Sequence, residues 1–189
     1  DKVVGKVIIK SDYSIKTSVA PMLGGLVYIG DRISTSDDGE LRIALEDSPN
    51  LLTIYSESEL RLNRSKSSID FLLDYGSILI ETGSGLSLNQ NLLTENSIIS
   101  LIDGECFVNR DFLNKDQIYT LRGNVNIKSL KNGLGTTLGI GEFIKSDSDS
   151  LHNKEKIKEG VLPSKIYNQY KYNVDLINYC INTLIGKQE

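Results

Sequence analysis

Apolar and polar residues alternate with a period close to two through most of the first 145 positions. Residues 3–10 "VVGKVIIK", 40–45 "ELRIAL", 51–55 "LLTIY", 60–62 "LRL" and 69–73 "IDFLL" have this pattern. So do 77–81 "SILIE", 97–102 "SIISLI", 117–121 "QIYTL", 125–129 "VNIKS" and 136–145 "TTLGIGEFIK". Gly, Asp, Asn and Ser clusters separate them, so the pattern predicts many short strands and no core helix before position 150. After position 160 the period changes. Ile166, Tyr170, Val174, Ile177, Ile181 and Leu184 recur at steps of 4, 4, 3, 4 and 3, which marks one face of a helix of about six turns. Tyr167, Tyr172, Tyr179 and Cys180 widen that face, while Lys165, Gln169, Asn173, Asp175 and Asn178 are expected to point away. Pro163 sits near the predicted start, with Ser164 as its cap. The chain therefore divides into a β domain (1–145), a polar linker (146–160, "SDSDSLHNKEKIKEG") and an amphipathic C-terminal helix (161–189).

Five glycines share one local context: an apolar residue, Gly, a polar residue, then an apolar strand start. They are Gly30, Gly76, Gly104, Gly123 and Gly141, the last three 19 and 18 positions apart. That spacing suits one coil of a β-solenoid or one hairpin of a sandwich, with glycine taking the sharp corner. The fold expected is thus mainly β, stacked short strands in a solenoid or sandwich, plus one C-terminal α-helix. Asp31, next to Gly30, is placed to accept backbone N–H bonds in a turn. Asp37-Asp38-Gly39 is the composition of a type I′ hairpin between "RIST" and "ELRIAL". The acidic pair is turn chemistry first, because a cation site needs further oxygens at defined positions and the EF-hand spacing is absent.

Composition removes other classes. With 21 basic and 25 acidic residues among 189, the net charge of −4 argues against nucleic acid. No window approaches the ~20 apolar residues of a membrane span, and no secretion signal opens the chain. Its start at Asp1 suggests an upstream segment that has been removed. Cys106 and Cys180 lie 74 positions apart, which matches neither a zinc site nor a disulfide framework. Cys106, beside Phe107 and Val108, reads as a small buried hydrophobe; a bridge to Cys180 requires the helix to fold back in an oxidising compartment. The single histidine, His152, falls in the polar linker, and no P-loop, GxSxG, HExxH or CxxC pattern occurs. The pairs Glu57/Glu59 and Asp147/Asp149 read as solvated charges. No catalytic residue, metal or cofactor is expected. Tyr13, Tyr28 and Tyr55 are the candidates for an aromatic sugar-binding platform.

The order "GKV…GGLVYIGDRISTSDDGELRIAL…LLTIYSESELRL…FLLDYGSILIE…SIISLIDGECFVNR…YTLRGNVNIKSL…LGIGEFI" resembles the FecR domain. That domain is the periplasmic module of regulators that relay iron-siderophore signals through a membrane-bound anti-sigma factor. The likeness runs from about Gly5 to Lys145. Gly30, Asp31, Ile33 and Thr35 match its Gly-Asp-x-Ile-x-Thr turn, and Leu41 and Ile43 its following strand. Leu52, Ile54, Ser58, Glu59 and Leu60 match its strand pair. Gly76, then Gly104 with Phe107 and Val108, Gly123 with Val125, and Gly141 with Glu142 complete the series. The chain departs where Gly104-Glu105-Cys106-Phe107 replaces the usual Gly-Thr before an aromatic, and it carries neither the anti-sigma segment nor the membrane helix of those regulators. The resemblance implies a periplasmic or envelope location and binding to other envelope proteins rather than catalysis. Three roles fit: relay from an outer-membrane receptor to an anti-sigma system, a scaffold within a secretion or motility assembly, or glycan binding. The helix stripe from Ile166 to Leu184 allows either packing back onto the β domain, as a cap over an open end of its core, or docking to a partner or a second copy.

Overall fold

The computed structural model describes residues 3–15, 23–46, 49–64, 68–83 and 89–185. Among the described residues twelve strands form one sheet: β1 (Val3–Ile15), β2 (Leu26–Tyr28), β3 (Arg32–Leu45), β4 (Leu51–Ile54), β5 (Glu59–Arg64), β6 (Ser68–Thr82), β7 (Asn89–Leu93), β8 (Ser97–Arg110), β9 (Asp116–Ser129), β10 (Gly135–Leu138), β11 (Glu142–Ser146) and β12 (Glu155–Lys156). One helix, α1 (Ser164–Ile185), follows. The main path runs β12-β11-β9-β8-β7-β6-β4-β3-β1-β2, with β10 added on β9 and β5 bridging β3 and β6. All pairs are antiparallel except β6 with β7. The sheet curls into a barrel-like arrangement with extra strands, so the expectation of a mainly β fold with one terminal helix holds.

The curl follows from long strands that change partners midway. The first half of β6 pairs β5, and its second half pairs β4 and β8. Likewise β3 pairs β5 through Arg32–Ser34 and β4 through Leu41–Ala44. A close crossing lies where Gly104 of β8 faces Gly123 of β9, between two register shifts of that pair. Both have positive φ (148° and 70°), and a Cβ on either would fall within 2.1 Å of the facing strand's carbonyl oxygen. Two backbones crossing this closely leave room for hydrogen alone. Gly76 turns β6 over Ser58, Gly30 follows β2, and Gly141 lies between β10 and β11, all three with positive φ. Asp31 accepts the Tyr28 N–H at 2.9 Å, the turn bond its sequence position suggests.

The Asp37-Asp38-Gly39 hairpin does not form. These residues lie inside the continuous strand β3, and Gly39 is not among the glycines with positive φ. Between the pairs Thr35↔Tyr13 and Glu40↔Ser11, residues 36–39 oppose a single position of β1. The Asp-Gly signal is spent on a wide bulge because β1 pairs with β3 on both sides of it, and that pairing outweighs the local turn preference.

Alternation places the cores. Ile78, Ile80, Cys106, Val108, Ile118 and Ile144 face the interior of the curl with Ile33, Ile43, Leu60 and Phe71. Their neighbours Leu79, Phe107, Tyr119 and Phe143 face the opposite side and form a second cluster with Ile157, Leu162 and Ile166. The central strands are therefore buried on both faces, as their unbroken apolar runs require. The polar stretch 146–160 is a folded connection: Ser146 bridges Leu151, β12 pairs β11, and Ile157 is buried.

Candidate functional site

The helix begins with the Tyr167 N–H bonded to the Pro163 carbonyl at 2.9 Å, so Pro163 rather than Ser164 stands at the cap position. Its first turns lie across the outer face of β6, β8, β9 and β11, on the second cluster, instead of over an open end of the curl. Ile166 is 2% exposed, wedged into the Phe107, Tyr119 and Phe143 cluster, with Tyr167 and Tyr170 half-buried around it. Tyr119 and Phe143 stack at 5.0 Å, and Tyr55 meets Phe107 edge-on at 5.9 Å. Burial pushes the Tyr119 phenol up to about 12.

Polar bonds fix the register of the docked half. Gln169 Nε2 and Asn173 Nδ2 each donate to Glu105 Oε2 at 2.8 Å, while Arg122 Nε donates to Glu105 Oε1 at 3.1 Å. Arg122 also donates to the Thr82 carbonyl at 2.9 Å. Lys165 reaches Glu40 at 2.7 Å and sits 5.6 Å above the Tyr55 ring. Next to this clasp, Arg42 pairs with Glu81 at 2.6 Å. Burial holds the Glu81 carboxyl above its usual range, Arg42 opposing it and the Glu105 charge adding to it. Burial, with the Glu40 and Glu81 charges, also raises the Tyr55 phenol.

Beyond Val174, which is half-buried, the helix leaves the sheet. Ile177 is 37% exposed, Ile181 48% and Leu184 67%; Tyr172, Leu176 and Tyr179 stand open on the other side. The predicted stripe thus splits: Ile166 and Tyr170 dock, and Ile177, Ile181 and Leu184 continue the same face into solvent. Gln169 and Asn173 correct the sequence reading, which turned them outward. Their positions at i+3 and i+7 from Ile166 already put them on its side of the helix.

The remaining candidates are dispersed. Cys106 is buried and Cys180 exposed, and both thiols are free; burial pushes the Cys106 thiol up. His152 bonds Asp147 at 2.8 Å in an exposed turn, and Asp149 pairs with Lys131. Glu59 is buried against Arg32, whereas Glu57 is exposed. Tyr55 carries Lys165 over its ring, Tyr28 is half-buried at the end of β2, and the Tyr13 side chain lies outside the described residues. A cleft of about 310 Å³ opens where β6 leaves β7 for β8. Its floor is Arg110, 2% exposed, bonded to Asp116 (2.7 Å), Glu95 (2.9 Å), Asn114 (3.1 Å) and the Asp74 carbonyl (3.0 Å). Those bonds tie the fork together. Among the described residues no three His, Cys, Asp or Glu side chains converge to hold a metal ion, and no helix is long and apolar enough to cross a membrane.

No protein-family model matches the chain. No curated protein matches it either. Among solved structures it is similar to two crystal structures, at 2.50 and 1.65 Å resolution, described as a putative anti-sigma factor from Parabacteroides distasonis. In each case the TM-score is 0.56 and the identity 12%, over 66% of this chain and 59% of that one. At that identity the likeness is one of fold.

Proposed function

We propose that the chain is a non-catalytic, FecR-like protein-interaction module of the cell envelope, whose β domain grips one half of a helix and presents the other half to a partner protein. The observation that carries this reading is the continuation of one apolar stripe from a docked half into an undocked one. Ile177, Ile181 and Leu184 extend the face that Ile166 and Tyr170 bury. Each such side chain gains roughly 1.5–3 kcal/mol on leaving water, and contiguous apolar surface on a folded domain marks a contact site. The clasp at Glu105 holds the helix at a fixed angle, so the open half is preorganised for a partner.

The fold-level likeness to structures described as a putative anti-sigma factor favours one version of the role, relay of an envelope signal to a transcriptional regulator. The envelope location rests on the FecR resemblance. A photo-crosslinking amino acid at Leu184, expressed in the native host, tests the reading. Adducts with a small, reproducible set of envelope proteins, lost when Ile181 is changed to Asp, are expected. Absence of any adduct, or turnover of a substrate by the purified protein, overturns it.

A further inference from the structure

The open half of α1 carries its own pairing register. Val174, Ile177, Ile181 and Leu184 follow at steps of 3, 4 and 3, the a-d-a-d spacing of a two-helix seam. Set against a second copy running the opposite way, this segment is complementary to itself. Val174 falls opposite Leu184 of the other copy and Ile177 opposite Ile181, then the same in reverse, so every layer is apolar. In that arrangement the flanking positions also meet their own kind: Cys180 faces Cys180 and Asn178 faces Asn178, an amide pair that satisfies itself. Lys171 falls opposite Ile185. The only charge from Tyr172 to Ile185 is Asp175, which points away from the seam opposite Thr183, so no like charges meet.

The direction follows from the docked half. Helices in such a seam lie ~8–10 Å apart, yet residues 166–173 of each copy are pressed against a whole β domain. A parallel pair would drive the two domains into each other. An antiparallel pair puts them at opposite ends of an overlap ~16 Å long. We propose that the open half of α1 is a homodimerisation element, paired antiparallel with a second copy around a two-fold axis beside Cys180. The inference rests on the reading of this half-helix as the interaction surface and names its partner.

Four layers form a small interface, so association in the micromolar range is expected. Sedimentation equilibrium from about 1 to 200 µM under reducing conditions reads the oligomeric state directly. A dimer that I181D converts to monomer supports the proposal. Ile181 is half-exposed, and an unchanged melting curve for that variant excludes unfolding as the cause. Register is read by copper-phenanthroline oxidation: the parent crosslinks through Cys180, N178C in a C180S background also crosslinks, and Y179C in that background does not. A monomer at every concentration, a dimer indifferent to I181D, or crosslinking through position 179 but not 180 overturns the proposal. Photo-adducts from Leu184 to a different protein, together with a monomer in solution, would sink the homodimer and leave the interaction-module reading standing.

Discussion

At Gly123 a methyl group would lie 1.9 Å from the Asp103 carbonyl oxygen, and at Gly104 2.1 Å from that of Arg122. Both contacts are backbone, which cannot swing aside as a side-chain end can. Left-handed φ adds ~1–2 kcal/mol for any other residue, and forced overlap a further ~1–3, so G123A is expected to lose about 3 kcal/mol or more. G133A provides the control: Gly133 has φ 71° but open space around it, and its loss is limited to about 1–2 kcal/mol. Urea unfolding midpoints separate the two, and equal losses would mean that the close crossing relaxes freely. A different residue ties one turn to pH. Asp147 is held at about 2 by His152 first, then by the Asp149 and Ser150 amides. Because that value lies below the ordinary ~3.9, the turn's contribution is fully present above about pH 4 and disappears as pH falls through about 2. Amide resonances of Asp149 and Ser150 should titrate with that low midpoint, and D147A should remove the transition.

The helix is an element with two halves, and substitutions should tell them apart. Ile166→Ala empties a buried site and is expected to cost ~2–4 kcal/mol. Glu105→Ala strips two amides and Arg122 of their acceptor, a loss of ~1–3 kcal/mol, visible as faster hydrogen exchange along residues 166–173 with little change in β4 or β5. Ile177→Asp, only four positions past Asn173, should leave the melting temperature where it is. If Ile177→Asp unfolds the protein as Ile166→Ala does, the open half packs onto its own β domain in solution. The apolar period made the helix and its stripe legible in the sequence, but not where along the stripe docking stops. That depends on Glu105, 64 and 68 positions away from Gln169 and Asn173, and a buried carboxylate partner leaves no local trace. The i+3 and i+7 spacing from Ile166 gives the side of the helix on which Gln169 and Asn173 lie, but not the acceptor they meet there. The Asp37-Asp38-Gly39 bulge has the same cause: a local turn signal is readable, and the β1 pairing that overrides it is not.

For the molecule as a whole, the decisive feature is a sheet whose central strands are buried on both sides. Runs such as Ile78-Leu79-Ile80 and Cys106-Phe107-Val108 carry that information openly, because an alternating strand with one wet face would show a polar residue at the middle position. The sequence pattern therefore demands a roof over Leu79, Phe107, Tyr119 and Phe143, and α1 with Ile157 and Leu162 supplies it. It follows that the roof, not the whole helix, belongs to the folding unit. A chain ending after Val174 keeps Ile166, the Glu105 clasp and Tyr170, and should melt within about 2 °C of the parent. A chain ending after Pro163 loses all three and bares aromatic surface. With ~4–6 kcal/mol of burial and bonding gone, its melting temperature should fall by ~10–20 °C, and the exposed face should promote aggregation. Thermal scans of the two truncations by circular dichroism make the comparison. Equal melting temperatures would show that the helix rests on the sheet without stabilising it, and the second cluster would then be a surface the protein keeps for something other than α1.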